Sequence, residues 1–106
     1  MPIAVAHGEG HAEFASSEAA KACAESGFVG FRYVHNDLSV AKSYPFNPSG
    51  SPFGIAALCN TDGRVTITIP HPERSVRYVQ NSWRPEGAGA NSGWMRLFRN
   101  ARRFVG

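Results

Sequence analysis

His71 and Glu73 stand two residues apart in Pro70-His71-Pro72-Glu73-Arg74, and an imidazole beside a carboxylate can move protons. The carboxylate holds one ring nitrogen while the other takes a proton from a nucleophile, the base-and-orienter pair of covalent catalysis. Pro70 and Pro72 each remove a backbone donor and push the preceding residue toward extended geometry, which opposes helix here. In an extended backbone residues two apart share a side, so His71 and Glu73 are expected to project together. The same tripeptide also fits a surface turn whose His and Glu are merely solvated.

A second cluster is His7-Gly8-Glu9-Gly10-His11-Ala12-Glu13. On a regular strand His7, Glu9, His11 and Glu13 would share one face, and imidazole and carboxylate are common zinc ligands. Gly8 and Gly10 oppose a regular strand, and no cysteine lies nearby in the sequence. A polar loop at the mouth of a site, without a metal, is therefore expected. The glycines also lack the third member of a dinucleotide-binding loop. Cys23 sits among helix-forming alanines and Cys59 in an apolar run, the settings of packed, inert thiols.

The elements that must position these groups can be read in order. Pro2 to Ala6 is a short apolar strand candidate. Ser16 caps a helix running to Glu25, with Glu18 in its first turn and Gly27 after its end. Phe28 to Val34 reads as a strand, with His35-Asn36-Asp37 as a turn and Val40 to Tyr44 as a possible antiparallel partner. Residues 45–54 form a long loop rich in Pro, Gly, Ser and Asn, which Phe46 and Phe53 should pack onto the body. Ile55 to Cys59 is a buried-strand candidate. Asp62-Gly63 turns it back into Val65-Thr66-Ile67-Thr68-Ile69, whose alternation is that of a half-buried strand. This hairpin would aim His71 and Glu73 off the end of a sheet. A short helical turn fits between Arg74 and Trp83, and Pro85 to Ala90 is a flexible loop. A last helix, capped by Asn91 or Ser92, carries Trp94, Leu97, Phe98, Ala101 and Phe104 or Val105 as its buried face. Arg96, Arg99, Arg102 and Arg103 fill the rest, either as a phosphate- or RNA-binding surface or as a solvated or interdomain face.

The 106 residues bound the chain to one domain with a modest core. Hydrophobic residues are 42% and charged residues 18%, ordinary for a globular protein. No apolar run reaches membrane-spanning length and no secretory signal opens the chain, so no membrane partner is expected. A net charge of +3 is by itself too little to argue for nucleic acid, and no nucleic-acid partner is expected. Two cysteines make no disulfide framework, consistent with a cytoplasmic setting.

Ala6-His7-Gly8-Glu9-Gly10, Arg32-Tyr33-Val34, Tyr44-Pro45, Asn47-Pro48, Gly50-Ser51-Pro52, Gly54-Ile55-Ala56, Asp62-Gly63-Arg64-Val65-Thr66, Pro70-His71-Pro72-Glu73-Arg74 and Gln80-Asn81-Ser82-Trp83 recur in this order in one family. Together they resemble the C-terminal end of the class I glutamine amidotransferase domain of phosphoribosylformylglycinamidine synthases. Trp94-Met95-Arg96-Leu97-Phe98-Arg99-Asn100-Ala101-Arg102 is similar to that enzyme's last helix. The resemblance covers essentially the whole chain. It implies an α/β fold of the flavodoxin-like kind, of which residues 1–106 would be the C-terminal portion: a mixed sheet with an antiparallel hairpin, mostly antiparallel within this piece, and two helices.

The resemblance also implies a Cys-His-Glu triad that hydrolyses glutamine. The ammonia would pass to a synthase domain that uses ATP and magnesium to amidate formylglycinamide ribonucleotide in purine biosynthesis. His71 matches the triad histidine and Glu73 the triad glutamate. His7 and Glu9 match a motif expected to line the same pocket. The family's nucleophile sits on a Gly-x-Cys-x-Gly turn, which neither Cys23 nor Cys59 matches. The nucleophile-bearing half is then expected to lie outside this chain, which alone would be inactive and would need the rest of the synthase as partner. No cofactor is expected in this segment. His11, where the family has arginine, and Phe53, where it has a polar residue, depart from the pattern. The alternative is a non-catalytic docking or regulatory module that retains the fold. Missing strands should leave an open sheet edge and exposed apolar surface.

Overall fold

Strand pairing centres on the Asp62-Gly63 turn. Gly63 adopts φ 70°, a left-handed conformation open to glycine without a steric penalty. Its N–H donates to the Asn60 carbonyl at 3.1 Å, and the Asn60 N–H donates to the Val65 carbonyl at 3.0 Å. The Asp62 and Asn60 side chains each accept a further backbone N–H, from Arg64 and Val65, at 3.0 Å. In the computed structural model, which describes residues 1–106, this turn joins β2 (Ile55–Cys59) to β3 (Thr66–Thr68), antiparallel, with Ala57 opposite Thr68. β1 (Val29–Arg32) pairs antiparallel with the other edge of β2, its register shifting around Phe31. With α1 (Ser17–Glu25) and α2 (Met95–Phe104) the chain is a small α/β structure: a three-stranded antiparallel sheet in the order β1-β2-β3, and two helices. That agrees with a portion of an amidotransferase domain.

α1 forms where local signals place it. The Ser16 side chain accepts the Ala19 N–H at 3.1 Å, which satisfies one of the helix's free N-terminal donors. Gly27, at φ 82°, follows its end.

Two compact units divide the chain, His7–Ile69 and Met1–Ala6 with Pro70–Gly106. The first contains the sheet and α1. Its core is Ala20, Tyr33, Ala41, Ile55, Ala56 and Ala57, with the polar Asn47 and Ser51 buried among them. In the second, Trp94 is the buried anchor, its indole N–H donating to the Pro2 carbonyl at 2.8 Å.

Several expected elements differ. Pro2 to Ala6 forms no strand, because no neighbouring backbone supplies its ladder. Val40 meets β1's continuation only at a single bridge to Val34; β2, longer and fully buried at its start, takes the pairing instead. Val65 and Ile67 are 58% and 65% exposed, so the alternation of β3 describes an uncovered face. Phe46 and Phe53 stay about half exposed, and residues 45–54 are held by polar side chains. No residue of α2 is buried; of its expected buried face only the preceding Trp94 is, while Phe104 and Val105 are each 75% exposed. The second unit otherwise consists of turns and loops, which offer no flat surface to cover a helical stripe.

Candidate active site

The segment carrying His71 is a turn, in contrast to the extended stretch expected from its prolines. Pro72–Arg74 forms one turn of 3-10 helix, with Pro72 at its first position. That placement suits proline, whose missing N–H would have no partner there. The Arg74 N–H donates to the His71 carbonyl at 3.0 Å and the Ser75 N–H to the Pro72 carbonyl at 2.9 Å. The turn still brings the expected pair together: His71 Nδ1 lies 2.8 Å from Glu73 Oε1. The carboxyl of Glu73 is held below its ordinary range, chiefly by a backbone N–H hydrogen bond and next by the His71 side chain. An ionised carboxylate only accepts, so Nδ1–H is the donor and a neutral imidazole carries its lone pair on Nε2. Nε2 has no hydrogen bond within the chain, and the His71 side chain is 43% exposed. The arrangement can accept a proton and stabilise the imidazolium that results.

Ser75 underpins this turn and carried no sequence signal. It is buried, and its carbonyl accepts both the Ser92 hydroxyl and the Asn81 side-chain amide. The segments flanking that contact pair further, with Tyr78 N–H to the Ala90 carbonyl at 3.0 Å and Ser92 N–H to the Val76 carbonyl at 2.8 Å. Gln80 closes a second short turn, Tyr78–Gln80, by accepting the Arg77 N–H at 2.9 Å.

His7 and Glu9 belong to the other unit, in an irregular loop. The His7 ring lies over Gly10 where any Cβ would collide with it, and its Nε2 is buried without a partner. This explains the glycine at position 10. Glu9 is exposed and joins no ion pair. His11 Nδ1 lies 2.9 Å from the Ser49 carbonyl. No group of three or more His, Cys, Asp or Glu side chains gathers as a metal site would require.

The family model for the CobB/CobQ-like glutamine amidotransferase domain matches residues 1–105. The chain belongs to this family. The resemblance read from the ordered motifs thus holds at the level of the glutamine amidotransferase, a domain whose substrate is glutamine.

In this amidotransferase domain the loop of residues 45–54 is anchored by buried polar side chains, where the sequence pointed to Phe46 and Phe53. Asn47, fully buried, donates through Nδ2 to the carbonyls of Ala41 at 3.2 Å and Ser51 at 2.9 Å. The Ser51 hydroxyl accepts the Ala12 N–H at 2.9 Å, meets the Ser49 hydroxyl at 3.0 Å and donates to the Gly10 carbonyl at 3.4 Å. These polar contacts tie the loop to the segment bearing His7 and Glu9. Asn and Ser in a Pro/Gly-rich stretch ordinarily mark exposed turns, which is why composition hid their role. Cys23 lies within α1 and Cys59 on β2, both half-buried and free. No helix is long and apolar enough to cross a membrane.

Proposed function

We propose that this chain is the C-terminal portion of the glutaminase domain of a phosphoribosylformylglycinamidine synthase, with His71 as general base and acid and Glu73 as its orienter. The observation that carries the reading is the 2.8 Å pair of His71 Nδ1 and Glu73 Oε1, which leaves Nε2 free. The thiolate of a cysteine outside these residues adds to the side-chain carbonyl carbon of glutamine. His71, protonated at Nε2, gives that proton to the departing nitrogen, and ammonia leaves a thioester. Nε2 then takes a proton from water as the hydroxide adds to the thioester carbon. Collapse releases glutamate and the thiolate. The position of Cys23 inside a helix and of Cys59 on a strand supports a nucleophile from elsewhere, because the family's attacking cysteine occupies a sharp turn.

In such an enzyme the ammonia is consumed by a cytoplasmic synthase domain that uses ATP and magnesium to amidate formylglycinamide ribonucleotide, and no cofactor is assigned to these residues. His7 and Glu9 are assigned to the rim of the glutamine pocket. The decisive experiment measures ammonia release from glutamine. The chain alone is expected to release none above buffer. The protein that includes the Gly-x-Cys-x-Gly turn should release it, and His71→Ala should slow that by about 10²–10⁴-fold. Release by the chain alone, abolished by His71→Ala, would overturn the division of the triad. A full protein indifferent to His71→Ala would leave the docking-module reading in its place.

A further inference from the structure

α2 breaks two local rules at once. Arg96 lies in its first turn, where the helix macrodipole disfavours a cation. Arg96 and Arg99 are three apart, and Arg99 and Arg103 four apart, the spacings at which like charges on one helix face repel. Arg102 and Arg103, in the last turn, do suit the dipole. Nothing within the chain offsets the repulsion. α2 contains no acidic residue, and the ion pairs present are Arg64–Asp62 and His71–Glu73. A run of choices that each disfavour the local structure points to a function outside it.

Arg96, Arg99, Asn100 and Arg103 line a shallow, open depression on the surface of α2. Guanidinium forks match the oxygens of phosphate, often two at a time, and remain charged at any physiological pH. We infer that Arg96, Arg99 and Arg103, with Asn100, bind a soluble phosphate-bearing anion such as a phosphate ester or pyrophosphate. The arrangement of the two faces separates this from a lipid surface. At about 100° per residue, the arc of Arg96, Arg99 and Arg103 lies opposite the arc of Leu97, Phe98, Ala101 and Phe104. A membrane meeting that apolar arc would leave these arginines pointing away from its headgroups. The inference shares no residue with the His71–Glu73 pair and does not depend on the glutaminase reading.

Titration of the chain with inorganic pyrophosphate at constant ionic strength, followed by amide NMR, tests it. Saturable shifts centred on α2 are expected, with affinity weakened about tenfold by Arg99→Gln and similarly by Arg103→Gln. Both side chains are exposed, so the helix should persist, as far-ultraviolet circular dichroism will register. Arg84→Gln, an exposed arginine outside α2, should leave the affinity unchanged. Absence of saturation by about 10 mM pyrophosphate would overturn the site. Equal weakening by Arg84→Gln would reduce it to general charge attraction and overturn it too. Binding to vesicles of anionic phospholipid but not to pyrophosphate would overturn the soluble source.

Discussion

Glu73 governs His71 through one contact, and its own ionisation has a cause that can be separated from that contact. A backbone N–H is the larger influence holding its carboxyl low, and the His71 side chain is the next. The carboxyl should therefore titrate below the ordinary glutamate value of about 4.3 when followed by carbon-13 NMR of Glu73. His71→Ala should raise the midpoint only part of the way back. A complete return would show that the turn's backbone contributes nothing. Because the folded value is depressed, the stabilisation from this carboxylate is present above the ordinary range and is lost as pH falls through the lowered value. At this scale the contact was legible: the spacing of the two residue types led to the expectation that His71 and Glu73 meet, as they do. The turn that joins them was not. Proline 72 ends a strand and begins a helical turn equally well, and the choice rests on the hydrogen bonds that Ser75 makes after it.

Elements with their signals inside a few residues formed as read. The Ser16 cap, the Gly27 stop and the Asp62-Gly63 turn all act through local backbone geometry. Gly54 differs, since its demand comes from distant chain. It begins the step into β2 at φ 65°, and a Cβ there would lie 2.8 Å from the Tyr33 carbonyl and 3.3 Å from that of Ala41. Gly27, at φ 82°, has open space around it. Gly54→Ala is expected to cost about 2 kcal/mol or more, combining left-handed strain with displaced backbone, whereas Gly27→Ala should cost about 1 kcal/mol from strain alone. Chemical denaturation of the two variants checks the order. Equal losses would mean that the loop yields freely around position 54. Pairing partners were harder to read than the elements themselves. β1 could have closed on Val40 or on β2, and apolar alternation is the same in both cases.

For the whole molecule, burial is concentrated in few residues and mostly small ones. Alanines supply Ala20, Ala41, Ala56 and Ala57 of the core, with Tyr33, Ile55 and Trp94 its larger members. Small side chains remove little apolar area from water, at about 25 cal/mol per Å², so protection should be uneven. Hydrogen exchange is expected to be slowest at the paired amides of the central strand β2 and fast along α2, whose residues after Trp94 carry no burial beyond half-buried Met95. Uniform protection would contradict that distribution. The sequence by itself determined the Ser16 cap and Gly27 stop of α1, the hairpin turn, the amphipathic pattern of α2 and the histidine–carboxylate spacing. Each is set by residues within one or two turns of chain. The start of α2 is different: Trp94, without a side-chain cap, holds its N-cap position and not the expected Asn91 or Ser92. The tertiary structure alone decided which apolar faces are covered, that β2 takes the centre of the sheet, and that Asn47, Ser51 and Ser75 are buried ties. Those outcomes depend on which distant backbone groups arrive to satisfy a donor or exclude water, and no local pattern encodes that arrival.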